Sequence, residues 1–433
     1  MRGVKKVKKQ SILLTFSLLV ILFSISAVNA ADTYVNGSVA ASGDGSSWEQ
    51  AYKTIKEGYN GVTDSNTVNI AAGTYTGDDN KGIMVDKDIT IQGAGQDQTI
   101  IDCEDLGYVF DVQADKTVNI KDLTITNGNC AGGAIPNSGT LTVERCEFTS
   151  NSATWGGAIN NDGTLTVTNC KFNDNYATMT GGAIYNIGFL TVTGSNFWDN
   201  TADSNAGAIY GHCGYALVSW IKVTYSRFVG NIASNTPNDI YIMCDPEYGP
   251  YGLNVRYNWW GSNSEPTEKI TGYYDPTVPS MWTPWLVMNI NADPSTIYTG
   301  QTSTLTADVY TDSAGTDHSA DAAQFFSGPQ VTFTTDLGNV GSKSTTVNWI
   351  LGMAIATLRG DEAAGMATVT AADGQVVSTT VNILQSPTVN AATSTNGTTN
   401  TDGTIGMHET GTPIVGLLLA FLMLVGGLVV SKR

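Results

Sequence analysis

The sequence predicts an all-β protein in which a right-handed parallel β-helix of about eight coils is followed by an antiparallel β-sandwich and a C-terminal transmembrane helix. Three observations carry that reading. A Gly-Gly motif returns every 24 or 25 residues, its second Gly at 133, 157, 182 and 207. After Trp285 that interval lapses into ordinary alternating strands, and the chain closes on the uncharged run Ile414 to Val430 followed by Ser431-Lys432-Arg433.

At the N-terminus, Arg2, Lys5, Lys6, Lys8 and Lys9 precede the apolar run Ile12 to Ile25 and the small-residue stretch Ala27 to Ala30. A basic head, an apolar centre and a small-residue end make a secretory signal peptide over 1–30, so the body is expected outside the cell. At the other end, 17 apolar residues from Ile414 reach the short limit of a membrane span. The terminal Lys-Arg pair then marks the cytoplasmic side of an anchor over 413–433, which gives a cell-surface protein tethered by its C-terminus. Without the five leader cations the chain holds 16 Lys and Arg against 39 Asp and Glu, a formal charge of −23. Nucleic acid is excluded as a partner, because phosphate binding needs clustered positive charge.

Repetition is the strongest signal. Gly132-Gly133-Ala134-Ile135-Pro136-Asn137 is followed by Gly156-Gly157-Ala158-Ile159-Asn160-Asn161, by Gly181-Gly182-Ala183-Ile184-Tyr185-Asn186 and by the degenerate Ala206-Gly207-Ala208-Ile209-Tyr210-Gly211. Fifteen residues beyond the second Gly stand Phe148, Phe172 and Phe197, each opening Phe-x-x-Asn with Asn151, Asn175 and Asn200. In the fourth copy a six-residue insertion before Ile221 moves these to Phe228 and Asn231. Between them lie Leu141-Thr142-Val143, Leu165-Thr166-Val167 and Leu190-Thr191-Val192. Three short alternating stretches per repeat read as three strands. One such coil cannot bury its own apolar face, but coils stacked in register at about 4.8 Å can. Phe148, Phe172, Phe197 and Phe228 then become a core ladder, while Asn137, Asn161, Asn186 and Asn151, Asn175, Asn200, Asn231 become two amide ladders at the turns. Weaker echoes, from Val68-Asn69-Ile70 to Leu123-Thr124-Ile125, extend the β-helix over 67–285, a rod about 40 Å long.

Open ends of such a rod need caps. Over 31–66, Ser46 and Glu49 have capping-box spacing, and Trp48, Ala51, Tyr52, Ile55 and Tyr59 fall on one face of a helix, so an N-terminal capping helix is expected there. Asn258-Trp259-Trp260-Gly261 is expected to plug the last coil; a sugar-stacking platform is the alternative reading of Trp259 and Trp260.

The paired Gly-Gly-Ala-Ile and Phe-x-x-Asn motifs resemble the repeats of chlamydial polymorphic outer-membrane proteins. The whole layout resembles the adhesin-like β-helix surface proteins of methanogenic archaea. In that family the helix ends in Asn-Trp-Trp-Gly, as at 258 to 261, and passes through Pro-Trp-Leu-Val, as at 284 to 287, into Ig-like modules. The resemblance implies an archaeal cell-surface adhesin with a pectin-lyase-like fold and says much less about activity, since β-helices host lyases, hydrolases and binders alike.

The stretches Ser303 to Tyr310, Val331 to Thr335, Met353 to Leu358, Ala367 to Ala371 and Val376 to Ile383 alternate between Gly and Asp turns, which predicts an antiparallel β-sandwich over 286–385. Ala364 to Gly374 resembles the end of a bacterial Ig-like module of the invasin and intimin type. From 386 to 412 the chain turns to Thr, Asn, Ser and Gly, an extended stalk. Asn36-Gly37-Ser38 and Asn396-Gly397-Thr398 are candidate glycosylation sequons.

No catalytic constellation stands out and no cofactor is expected. Gly211-His212-Cys213 resembles part of a β-helix hydrolase loop, but the paired carboxylates it needs are not read one coil away, so His212 is taken as a loop histidine. Arg145, Lys171 and Arg227 flank the Phe ladder and are expected to point outward into solvent. Asp102, Glu104, Asp105 and Asp111 form a candidate calcium cluster, for which a charged turn between coils is the alternative. Cys146 and Cys170 share one coil position and are expected to stack as a buried small-residue ladder. Three function classes follow: an adhesin whose partners are cell-surface or cell-wall glycans or other cells, a structural element of the envelope, and a polysaccharide lyase or hydrolase.

Overall fold

A computed structural model describes residues 32–213, 221–235, 238–244, 253–273 and 281–387. The predicted leader, nearly all of the stalk, the sequon at Asn396 and the anchor over 413–433 lie outside the described residues. Among the described residues no helix is long and apolar enough to cross a membrane.

Up to Tyr273 the chain winds as a parallel β-helix whose three long sheets hold nine, eight and seven strands. In the central coils the order is a Leu-Thr-Val strand such as Thr164–Thr168, a Phe strand such as Lys171–Asn173, and an Ile strand such as Ile184–Asn186. Alternation decides which residues enter the lumen: in Thr164–Thr168, Leu165 and Val167 are buried while Thr166 between them is not. Thr142, Thr166 and Thr191 consequently line up on the outside, in register. A fourth, short sheet of four strands runs through Ser152–Trp155, Tyr176–Thr180, Thr201–Ala202 and Ile232–Ala233, one strand per coil more than the three read from the pattern. Its buried residues are Ala153, Ala177, Ala202 and Thr180, too small or too polar to register as a hydrophobic stretch.

Ladders hold the stack. Phe148, Phe172, Phe197 and Phe228 are fully buried and lie parallel, with centroids 4.9, 4.7 and 4.9 Å apart. Beside them Asn151, Asn175 and Asn200 of the Phe-x-x-Asn motif make the same bonds. Asn175 Nδ2 donates to the Phe148 carbonyl at 2.9 Å and to Asn200 Oδ1 at 2.9 Å, and the Asn175 backbone N–H donates to that same Oδ1 at 3.1 Å. A backbone corner that would lose its partners to the turn is thereby satisfied coil after coil. Asn137, Asn161 and Asn186 repeat the device, at 2.6 and 2.5 Å. The Gly-Gly pair serves two needs at once. Gly156 and Gly181 sit at φ +61° and +68°, whereas a Cβ on Gly157 or Gly182 would meet the next coil's carbonyl oxygen at 2.4 or 2.1 Å. Cys146 and Cys170 are free and buried, and burial pushes the Cys170 thiol up to about 12, so both are small core residues without reactivity.

The long Asn ladder ends on Asp239, a fully buried carboxylate that accepts from Asn231 Nδ2 at 2.8 Å and lies 3.5 Å from Lys269. Burial pushes its pKa up to about 6, against the pull of Lys269 and Asn231. A carboxylate raised in the folded chain contributes its stability below the unfolded value near 4 and loses it as the pH rises through 6. Asp239→Asn is therefore expected to match the wild type at pH 4 and exceed it by roughly 2 kcal/mol at pH 7. Urea titrations at the two pH values check this, and an equal difference at both would refute it.

The N-terminal cap differs from expectation. The helix is Ile55–Gly61, and its capping box is Thr54 with Glu57, not Ser46 with Glu49. Residues 43–51 instead fold back on themselves, Gly43 N–H donating to the Ala51 carbonyl at 3.0 Å and Gly45 N–H to Gln50 at 2.7 Å. Asp44 accepts from the Ser46 N–H and hydroxyl, which holds the turn that replaces a helix start. Ile55 and Tyr59 face the core, while Trp48 stays 45% exposed.

At the other end the two tryptophans part company. Trp260 continues the Phe ladder, 4.9 Å from Phe228, as a plug should. Trp259 turns outward, into the core of the sheets that follow. Those are a three-stranded sheet of Leu286–Asp293, Thr302–Asp312 and Met353–Arg359, and a five-stranded sheet ordered Thr296–Tyr298, Gln375–Leu384, Gly365–Asp373, Gln330–Thr335, Ser344–Asn348. All pairings are antiparallel except that of Thr296–Tyr298 with Gln375–Leu384. Each expected strand falls inside one of these. Ser344–Asn348, an edge strand with no fully buried residue, carries no apolar alternation, whereas Leu286–Asp293 alternates, with Leu286, Met288 and Ala292 buried, and is a strand that the expected set lacks. The chain up to Ser386 is one compact unit.

Candidate functional site

The C-terminal sheets cover part of the β-helix and so decide which of its sides remain available. They dock on the Phe-strand side of the later coils. Asn196 Nδ2 donates to the Ser327 carbonyl at 2.7 Å, and Tyr225 stacks with Tyr257 and donates to Asp321 at 3.1 Å. His318 lies over Tyr257 at 4.6 Å and 2.9 Å from Asp312. At the centre Arg227 is not a solvated cation. It is 5% exposed, and its guanidinium grips the Asp373 carboxylate, Nε at 2.8 Å from Oδ2 and Nη2 on Oδ1. The indole N–H groups of Trp259 and Trp349 donate to the same Oδ2, at 3.1 and 2.8 Å. Gly374, at φ +74°, completes the fit: a Cβ there would meet the Gly261 carbonyl oxygen at 2.5 Å.

Arg145 and Lys171 are not lone cations either. Arg145 pairs with Asp122 at 2.6 Å and with Glu144, and Lys171 lies 3.6 Å from Glu147. The acidic cluster is likewise divided among local partners. Asp102 accepts from Glu104 N–H and from Asn127, and Glu104 pairs with Lys81 at 2.9 Å and accepts from Gly77 N–H. Among the described residues no three His, Cys, Asp or Glu side chains converge as a metal site. His212 lies on the strand Ile209–Cys213, where the residue in register on the next coil is Met243.

One carboxylate pair escaped the reading. Asp174 and Asp199 both sit two residues past a ladder Phe, in the same left-handed corner conformation at φ 54° and 55°. Burial and then the Asp174 charge push the Asp199 carboxyl above its ordinary range.

The uncovered Ile-strand side carries an aromatic row. Tyr185, Tyr210 and Tyr241 occupy one outward position on successive coils, with Asn160 one coil before them. Their rings are parallel, 5.1 and 5.6 Å apart, and Trp155, 40% exposed, leans on Tyr185 at 6.4 Å. Tyr185 and Tyr241 are half-buried, whereas Tyr210 between them is buried and its hydroxyl donates to Met243 Sδ at 3.3 Å, so the row presents Tyr185, Tyr241 and Trp155 to solvent. Burial and the flanking tyrosines push the Tyr210 hydroxyl up to about 12, so it stays a proton donor throughout the physiological range. The signal was present in the repeat itself: Tyr follows Ile in Gly-Gly-Ala-Ile-Tyr at 185 and in Ala-Gly-Ala-Ile-Tyr at 210.

Residues 169–187, which span Phe172, Asn175, the Gly181-Gly182 pair, Tyr185 and Asn186, match the Chlamydia polymorphic membrane protein repeat. No curated protein and no solved structure matches the chain.

Proposed function

We propose that this is an exported, membrane-anchored cell-surface protein of adhesin-like type, whose β-helix side engages glycan or cell-wall polymer. Three things support the reading: a membrane-protein repeat within the β-helix, the signal-like and anchor-like ends, and the aromatic row on the side that the C-terminal sheets leave open. The row carries most weight. Tyr185 and Tyr241, half-buried and two coils apart on either side of the buried Tyr210, with exposed Trp155 beside Tyr185, offer an extended polymer lying along the axis more than one contact. The C-terminal sheets read as the Ig-like module of the invasin and intimin type, and the layout as that of methanogen adhesin-like proteins. In this role they brace the rod above the membrane. Neither a metal nor a cofactor is needed.

The test is binding of the detergent-solubilised full chain to a glycan array and to an immobilised cell-wall preparation. Tyr185→Ala with Tyr241→Ala is expected to weaken binding about tenfold or more without a large shift of the thermal midpoint, since both positions face outward. Undiminished binding would move the ligand to another face.

A lyase or hydrolase is the second reading, and the observation that favours it is the Asp174 and Asp199 pair, because a glycosidase needs two carboxyl groups about 5 to 10 Å apart. The adhesin reading expects no reducing sugar and no unsaturated uronate from pectin, alginate or cell-wall polymer, with or without calcium. Turnover that Asp199→Asn abolishes would establish the enzyme instead.

A further inference from the structure

At the far end of the β-helix from the tyrosine row, the chain leaves an aromatic side chain open beside a neutral cavity. Trp48, carried on the folded-back segment 43–51, is braced by Tyr34 in a T-shaped contact at 4.9 Å. With Asn36, Asn69, Gln92 and the small or apolar Ile70, Ala71, Gly93 and Ala94 it frames a cavity of about 400 Å³. Asn69 and Gln92 stand in register on adjacent coils. Each amide is tied down at one end only. Asn69 Nδ2 donates to the Thr33 carbonyl at 3.3 Å, Gln92 Nε2 donates to Gly93 and to Asp122 at 2.8 and 2.7 Å, and Asn36 Oδ1 accepts from the Ser38 N–H and hydroxyl. Among the described residues nothing bonds to Asn69 Oδ1, Gln92 Oε1, Asn36 Nδ2 or Trp48 Nε1.

We propose that the Trp48 cavity is a binding site for a neutral sugar ring. Two free acceptors and two free donors match hydroxyls, which donate and accept at once. An exposed indole beside them supplies the apolar surface on which the C–H face of a pyranose rests. The volume is that of a small-molecule site, and no charged side chain lines it. With no cation in the lining, a carboxylate would lose hydration there without gaining a counter-charge, which disfavours an acidic sugar. This goes beyond the binding assigned to the β-helix side: it uses other residues at the other end of the rod. The ring can come from a saccharide outside the chain or from a glycan attached to Asn36 itself, which opens a sequon and lines the cavity.

The full chain, solubilised from a bacterial host that adds no N-glycans, is titrated with methyl glucoside, methyl mannoside, methyl galactoside, N-acetylglucosamine and glucuronate, read by saturation-transfer NMR and tryptophan emission. At least one neutral sugar is expected to bind in the millimolar range, with glucuronate about tenfold weaker or more. Trp48→Ala should abolish the transfer while the far-UV spectrum and thermal midpoint hold, because the side chain is nearly half exposed. Asn69→Ala should weaken it, and Tyr185→Ala should leave it unchanged, so failure here is separable from failure of the polymer-binding reading. No transfer to any neutral sugar up to about 50 mM, equal binding of glucuronate, or transfer that survives Trp48→Ala would overturn the proposal. In chain from a glycosylating host, binding that appears only after Ser38→Ala identifies the Asn36 glycan as the occupant; unchanged binding identifies an external saccharide.

Discussion

Replacing Phe172 with alanine is expected to cost about 3 to 5 kcal/mol, the range for a fully buried aromatic. Phe172 is enclosed on both faces, by Phe148 at 4.9 Å and Phe197 at 4.7 Å, in rings tilted by 5° and 2°. Its loss removes two stacking contacts as well as the buried area. The ladder also limits relaxation. Neighbouring coils are pinned by the Leu165 to Leu190 register and by the Asn175 to Asn200 bonds, so they cannot close over the gap. Urea denaturation of the wild type and Phe172→Ala checks the figure, with outward Thr166→Ala as a control expected within about 0.5 kcal/mol. A loss below about 1 kcal/mol at Phe172 would mean that the coil stack is not the cooperative core described above.

Asp373→Ala is expected to cost about as much, roughly 3 to 5 kcal/mol, by a different route. It leaves the Arg227 guanidinium buried without its counter-charge and strips two indole N–H groups of their acceptor. One guanidinium nitrogen, Nη1, already lacks a partner, so nothing nearby absorbs the charge. Asp373→Leu combined with Arg227→Met should cost less than Asp373→Ala alone, because removing both charges removes the desolvation penalty along with the attraction. Denaturation curves for the single and double variants give the coupling. Additive losses would show that Arg227 and Asp373 do not depend on each other.

These two sites mark the limits of what could be read in advance. Phe172 was legible because a coil stack converts a sequence interval into contact: residues 24 or 25 apart are neighbours, so Phe148, Phe172 and Phe197 could be placed on one another from spacing alone. The same interval placed the Asn ladders. The helix start was misplaced because Ser46-to-Glu49 and Thr54-to-Glu57 carry the same four-residue signature, and only the fold-back of Gly43 and Gly45 onto Ala51 and Gln50 tells them apart. The tyrosine row and the Asp174 and Asp199 pair were within reach of the same counting, which followed the inward positions and passed over the outward ones.

By itself, then, the sequence determined the β-helix, its register, its core and its amide ladders, since every one of these is a periodic contact between near neighbours in the stack. Tertiary structure alone decided which side of that rod stays open. The pair that closes the Phe side, Arg227 with Asp373, spans 146 residues, and no periodicity joins a coil to the sheets that dock on it. Its partners are single residues whose meaning depends on what they meet. Arg227 resembles any outward cation until a carboxylate buries it, and Trp259 resembles a plug until two sheets form around it. Trp48 resembled a cap until the turn at Asp44 left its indole facing water.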